Sequence, residues 1–396
     1  MSLRLTRRAA RPPGLFAVLA ALAVTLSTTS AEGRERAKAP KVTPGGYVET
    51  YYAFNFGRPG NGITNFRAFD NRHATFTLSN AVLSVDAATD RFYARVALQS
   101  GSTGETYYGI EPVRPGADGA AAGGPGVFKH VQEAYVGFSL SDDAEVESGL
   151  YLSPIGPEAM AIKDTWLWSR SNLFYGLPFY HTGARLKYRP AEGVTLRAGV
   201  LNGWNSVVDN NDSPSVSLKA TLDLSKDVSL DAHYLGGVER NAGDPEGPAW
   251  RNLLDTYVTW KATDRLEMIV NGDLGFEPNR LGLAGWAAGA LFGRFRIHDR
   301  VFVAARGDLV MEKRAQDGIF TSSAMLFPTR WLSSQAVAID VRPVQPVSVR
   351  LEYRHDASAA PLFFRGDVAG AGSTESPYVT NARKQDTITL GATAWF

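Results

Sequence analysis

The sequence predicts an all-β chain: an antiparallel transmembrane β-barrel of about 16 strands, with short turns at one end and long loops at the other. Three observations carry that prediction. Apolar and polar side chains alternate, one for one, in segment after segment. The breaker clusters between segments alternate short and long. One face of the segments is almost free of charge, whereas the other is rich in it.

The clearest segment is 385–396, QDTITLGATAWF. Ile388, Leu390, Ala392, Ala394 and Phe396 fall on one face. Thr387, Thr389, Gly391 and Thr393 fall on the other. A strand with one greasy side and one small polar side suits a barrel wall, with the Phe396 ring at the bilayer boundary. Taken alone, the stretch also fits an ordinary edge strand.

The opening residues set the compartment. Arg4, Arg7, Arg8 and Arg11 precede an apolar run at 15–26, and Thr29 and Ala31 stand where a cleavage site needs small residues. Residues 1–31 therefore read as a secretory signal peptide, since the run is too short to span a membrane. Residues 32–45, with Lys38, Pro40, Lys41 and Pro44, read as a flexible segment, and 46–396 as the barrel. The chain has no cysteine, which excludes a disulfide scaffold and any thiolate metal site. Its 41 basic residues stand against 40 acidic ones. Without the leader arginines the balance is slightly acidic, which argues against a nucleic-acid partner. No later apolar run is long enough for a spanning helix.

The strands follow in order. The first is 46–56; a long loop then leads to 75–86 and 92–99, joined by a short polar turn. Residues 101–127, rich in Gly, Pro and Ala, read as a long mobile loop. Strands 128–140 and 145–153 meet through Ser141, Asp142 and Asp143. After another long loop, 180–189 turns into 194–204. The pairs 214–224 with 228–238, 253–261 with 266–276, 284–297 with 301–312, and 331–342 with 347–356 repeat the pattern. Each short connection would be periplasmic and each long one extracellular.

Aromatic residues at the strand ends suggest two interfacial girdles. Phe54, Phe56, Trp204, Phe276, Trp286, Trp331 and Tyr353 fall at the outer rim, and Phe138, Tyr188, Trp260 and Phe396 at the inner one. Between them the same face is apolar, with Ala288 and Ala290 among its members. The opposite face carries Glu49, Arg95, Glu133, Glu147, Arg185, Lys219, Asp231, His233, Asp255, Glu267, Arg306, Arg350, Glu352 and Arg354. Unpaired charges in a dry core cost several kcal/mol each, so this face is expected to be wet. A barrel of that size holds an aqueous channel. The alternative is a barrel plugged by its own loops, with the charges paired off.

The loop at 154–179 holds Glu158, Lys163, Asp164, Trp166, Trp168 and Arg170. In general porins the third external loop folds into the lumen and narrows it, and by that resemblance this loop is the constriction candidate. Glu158 and Asp164 would then face Arg306 and Arg350 across the bore, setting up a transverse field. The six histidines show no metal-ligand spacing, and His181 and His233 read as solvated lumen residues. No catalytic set, cofactor motif or metal site emerges, so the chain does not read as an enzyme.

Motifs extend the reading. YYAFNFGRP at 51–59, FRAFDNRHATFTLSNAVL at 66–83, QEAYV at 132–136, SRSNLF at 169–174, PFYHTGARLKY at 178–188 and NGWNSVVDNN at 202–211 follow one another in order. Together they resemble the OmpL-like β-barrel porins, best over 46–211. That resemblance implies a Gram-negative outer-membrane channel for passive diffusion of small hydrophilic solutes. The implied partners are outer-membrane lipids and lipopolysaccharide, the barrel-assembly machinery reading Phe396, and the solutes. A homotrimer stays open. So do a closed surface barrel whose loops bind a partner, and a sugar- or anion-selective channel, for which only Tyr151, Trp166 and Trp168 could line the path.

Overall fold

A computed structural model describes residues 39–114, 116, 124–241, 243–368 and 378–396. The signal peptide predicted at 1–31 and residues 32–38 of the flexible segment lie outside the described residues. The unit Lys41–Phe396 holds all the strands. They begin with β1 (Lys41–Asn55), β2 (Thr75–Ala88), β3 (Phe92–Ser100), β4 (Val131–Ser139), β5 (Ala144–Leu152) and β6 (Tyr180–Ala191). Next come β7 (Val194–Leu201), β8 (Ser215–Ser225), β9 (Val228–Val238), β10 (Trp250–Lys261), β11 (Leu266–Asn279) and β12 (Gly282–His298). The chain continues through β13 (Val301–Lys313), β14 (Gln316–Asp317), β15 (Phe320–Thr321), β16 (Trp331–Val341), β17 (Val347–Ser358) and β18 (Lys384–Trp395).

All but β14 and β15, which pair as a side hairpin, form one closed barrel of 16 antiparallel strands. The seam is β1 against β18, with Tyr47 opposite Trp395 and Asn55 opposite Thr387. Closure leaves no sheet edge, and that is what lets strands cross a bilayer. The alternation behaves as expected on β16, β17 and β18, where buried and exposed residues follow one another along most of each strand. The exposed set is apolar, including Val337, Ile339, Leu351 and Leu390.

Several sequence expectations need correction. β1 starts at Lys41, inside the segment expected to be flexible. Within 101–127 the stretch Ser102–Tyr108 is a helix that buries Thr103, Tyr107 and Tyr108, rather than part of a mobile loop. Residues 115 and 117–123 of that stretch lie outside the described residues. The long–short rhythm breaks at β11 and β12, which only residues 280–281 connect.

The largest correction concerns β12. Trp286, Ala288 and Ala290 face the lumen, not the lipid. Over 282–293 the strand is apolar on both faces, so alternation there does not choose between them. Its neighbours choose: residues directly opposite one another in an antiparallel pair share a face. Asp273 opposite Ala288 and Asp308 opposite Ala290 point inward, and the alanines must follow. The Trp286 ring then lies over Gly275, where any side chain would collide with it. Trp204 also leaves the girdle. β7 ends at Leu201, and the Trp204 ring turns in to meet Trp286 edge-on, 5.9 Å between centroids. Phe56, Phe276, Trp331, Tyr353, Phe138, Tyr188, Trp260 and Phe396 are exposed at the rims as expected.

The interior is packed chiefly by loops. One apolar cluster joins Leu167 and Leu173 of the 154–179 loop to Phe292, Phe327, Leu332 and Phe363. A second gathers Phe69, Tyr107, Tyr108, Phe179 and Tyr180, and a third gathers Tyr151, Ile155, Leu177, Trp204 and Trp286.

Candidate functional site

The stretch 154–179 leaves β5 at the long-loop end and turns into the barrel. A loop taken out of water must find a partner for each backbone N–H and C=O. Here the inward-facing charges of the wall supply many of them. Carboxylates accept its amides: Glu49 from Ile162 at 2.6 Å, Asp255 from Gly156 at 3.0 Å, and Glu352 from Trp168 at 2.6 Å and Ser169 at 3.1 Å. Cations donate to its carbonyls: Lys219 to Pro154 at 2.8 Å, Arg306 to Ser169 at 2.7 Å, Arg350 to Leu167 at 3.1 Å and Arg354 to Arg170 at 2.5 Å. These residues sit on β1, β8, β10, β13 and β17, so the loop is pinned around much of the wall.

The loop also braces itself. Arg170 donates to the carbonyls of Ala159, Met160 and Trp168, and Glu158 accepts from the Ser171 amide and hydroxyl. Asn172 donates to Asp308 at 2.8 Å. The Trp168 ring presses on Gly391 of β18 and lies 6.0 Å from Tyr51.

The ten candidate residues divide in two. Glu158, Arg170, Arg306, Arg350 and Arg354 are dry. Arg306 lies 3.4 Å from Glu158 and 3.2 Å from Asp308, in direct buried ion pairs rather than facing the acid across an open bore. Arg350 does not meet Asp164. It lies 3.5 Å from Asp340 and bonds the Thr165 hydroxyl, with the residue 0% exposed. Arg354 pairs with Asp356 at 2.7 Å. For these groups the expected water is replaced by carboxylates and loop carbonyls. His181 and His233 are likewise buried, beside Ser153 and Ser217, rather than solvated.

Of the other five, Glu147 is buried and the remaining four keep contact with solvent. Asp164 pairs with its neighbour Lys163 at 2.8 Å and its side chain remains 52% exposed. Arg185 pairs with Glu147 at 2.5 Å and stacks over Tyr151 at 3.8 Å. Glu133 accepts from Arg95 at 2.7 Å. Lys187 and Arg189 share Glu145 at the short-turn end, and the pairs of Arg185 with Glu147 and Arg95 with Glu133 lie along β3 to β6.

Two groups escaped the sequence reading. Arg294 bonds Glu267 at 2.9 Å and stacks between Trp166 at 4.9 Å and Phe302 at 5.5 Å. It was missed because β12 had been turned the wrong way, although the alternation of Arg294 and Arg296 with Phe295 and Ile297 marks its inward face. Arg67 and Asp70, in the loop after β1, are both buried and 3.0 Å apart, with Arg67 3.3 Å from Asp356. Only the length of that loop hinted at such packing. Among the described residues no group of three or more His, Cys, Asp or Glu could hold a metal ion.

The family described as "Putative beta-barrel porin-2, OmpL-like" matches residues 41–396. No curated protein matches the chain. Among solved structures, the outer membrane channel DcaP of Acinetobacter baumannii is 12% identical with a TM-score of 0.57, covering 93% of this chain and 100% of that one. The anion-selective porin from Comamonas acidovorans is 11% identical with a TM-score of 0.60, covering 90% of this chain and 100% of its own. OmpT of Vibrio cholerae is 11% identical with a TM-score of 0.57, covering 91% and 99%. At such identities the likeness is one of fold.

Proposed function

Since the chain belongs to the OmpL-like β-barrel porin-2 family and is an outer-membrane porin, we propose that small hydrophilic solutes diffuse through it past a constriction formed by 154–179. The observation that carries this reading is the pinning of that loop inside the bore by Glu49, Lys219, Asp255, Arg306, Arg350 and Glu352. A loop tied to several strands sets the narrowest section of a barrel more firmly than one resting on its own contacts. Along β3 to β6 the partly buried pairs of Arg185 with Glu147 and Arg95 with Glu133 give a charged vestibule. Solutes there meet charges of both signs, which suits polar molecules better than apolar ones.

The test is reconstitution in planar bilayers. Stepwise conductance is expected from the wild type, and Arg306→Ala should enlarge the step by freeing Ser169 and Glu158. Absence of steps at every voltage from both proteins would refute a channel through this bore.

One observation favours a second reading, a barrel held shut by its loops. The apolar cluster of Leu167, Phe327 and Phe363 closes over the dry ion pairs at the long-loop end. Silence from the wild type, with conductance only after Arg306→Ala, would select this reading.

A further inference from the structure

Across the inner wall, Arg197 of β7 stands directly between Lys187 of β6 and Lys219 of β8, and Lys219 stands opposite His233 of β9. Directly opposed residues share a face, so three cations lie side by side. Like charges placed this way repel unless opposite charge lies close. Two of the three have it: Lys187 shares Glu145 with Arg189, and Lys219 lies 3.0 Å from Asp231. Arg197 forms no ion pair among the described residues. The acids around it are already held. Asp231 also accepts from the Thr221 hydroxyl at 2.7 Å, and Glu147 is paired with Arg185 at 2.5 Å. Asp223, the next acid on this face of β8, stands four residues beyond Lys219 at the turn, and is exposed.

A cavity of about 10 Å³ lies among these groups, with room for one water-sized particle. Arg185, Arg197, Lys219, His181 and His233 all line it. Lys219 is buried, and its ammonium spends one proton on Asp231 and one on the Pro154 carbonyl at 2.8 Å, leaving a third. His233 is buried too. Its Nε2 lies 2.7 Å from the Ser217 hydroxyl, and its Nδ1 has no partner among the described residues. Buried polar atoms are rarely left so, and an unmatched one points to a missing ligand.

We propose that this cavity is a binding site for a monatomic anion of the chloride class. The Arg197 guanidinium, the third proton of Lys219 and the Nδ1–H of His233 would hold it. With the Ser217 hydroxyl donating to Nε2, the proton of the neutral ring sits on Nδ1 and is free to donate. The anion answers the one charge of the row that no carboxylate answers. A water molecule fits the space equally well and leaves the Arg197 charge standing. An oxyanion or a solute carboxylate brings further heavy atoms for which the cavity has no room. The site belongs to the wall, beside Pro154 at the root of the 154–179 loop, and stands whether or not the bore conducts.

The test uses the full mature barrel, refolded in detergent and exchanged into sodium gluconate, whose anion is too large for the cavity. Chloride then replaces gluconate at constant ionic strength while thermal unfolding is followed. The wild-type midpoint should rise with chloride and level off, as binding to one site of the folded chain requires. Arg197→Gln should weaken the apparent chloride affinity by about tenfold or more. In gluconate alone it should unfold at the wild-type temperature or above, because it removes a charge that has no partner. That reading separates loss of the site from damage to the fold. Lys187→Gln, which alters a neighbouring cation outside the cavity, should keep the chloride response. In crystals grown with bromide, an anomalous peak is expected within reach of Arg197, Lys219 and His233. Equal wild-type midpoints in chloride and gluconate would overturn the proposal and leave the cavity to water. A chloride response retained in Arg197→Gln, or lost equally in Lys187→Gln, would overturn it as well.

Discussion

Single positions decide whether the bore stays filled. A Cβ on Gly391 would fall inside the Trp168 ring, so only glycine lets that ring lie on β18. Gly391→Val should expel Trp168 and loosen the loop around it. Overpacking of this kind costs about 1–3 kcal/mol. The expected readings are a lower midpoint of thermal unfolding and a red-shifted tryptophan emission; an emission spectrum identical to wild type would contradict the contact. Glu239 offers a pH-dependent counterpart in the loop after β9. Burial pushes its carboxyl up from 4.5 to about 7, against the pull of the Ser215 hydroxyl, the Arg251 charge and the Trp204 amide. Its value in the folded chain is raised, so the folded chain holds the proton more tightly. The stabilisation is full below about 4.5 and is lost as pH rises through about 7. Amide protection at 203–206, corrected for intrinsic exchange rates, should therefore fall between about pH 4.5 and 7 and level off above that range. In Glu239→Gln it should stay flat, and a flat wild-type profile would refute the assignment.

At the scale of elements, the loop 154–179 is held by wall charges more than by its own sequence. Glu352 accepts two of its amides, and hydrogen bonds to a charged group contribute about 1.5–3 kcal/mol each. Glu352→Gln keeps the shape and removes the charge. The chain has no cysteine, so Leu167→Cys adds a unique buried probe in the loop. Its thiol-labelling rate should rise about tenfold or more when Glu352→Gln is added. An unchanged rate would mean that Glu352 does not pin the loop. The contrast between β18 and β12 shows why some elements were legible and others were not. On β18 every second residue is Thr or Gly against Ile, Leu or Ala, and the inward face can be read from the strand alone. On β12 both faces are apolar over 282–293, and the facing there is set by Asp273 and Asp308 on neighbouring strands. The site was half legible for the same reason. Alternation places Arg306 and Arg350 in the lumen, but their dryness depends on Ser169 and Leu167, more than a hundred residues away.

Across the whole molecule, the two groups of lumen charges should separate in experiment. Arg350 is buried against Asp340 and the Leu167 carbonyl, whereas Arg185 keeps part of its side chain in the vestibule beside Glu147. Removing one partner of a buried pair strands the other and costs about 3–5 kcal/mol. A partly exposed pair contributes about 0–1 kcal/mol. Arg350→Ala should therefore lower the unfolding midpoint strongly, while Arg185→Ala should lower it clearly less. Permeation should follow the opposite order for charge. Loss of the Arg185 cation leaves the Glu147 charge unbalanced beside the vestibule and should shift the anion-to-cation permeability ratio downward. The shift should be plain at 0.1 M salt, where screening acts over about 10 Å, and should fade at 1 M, where it acts over about 3 Å. Reversal potentials on both variants at the two salt concentrations give the answer. If Arg185→Ala destabilises the barrel as much as Arg350→Ala does, or leaves the ratio unmoved at low salt, the division into a dry frame and a wet path is wrong.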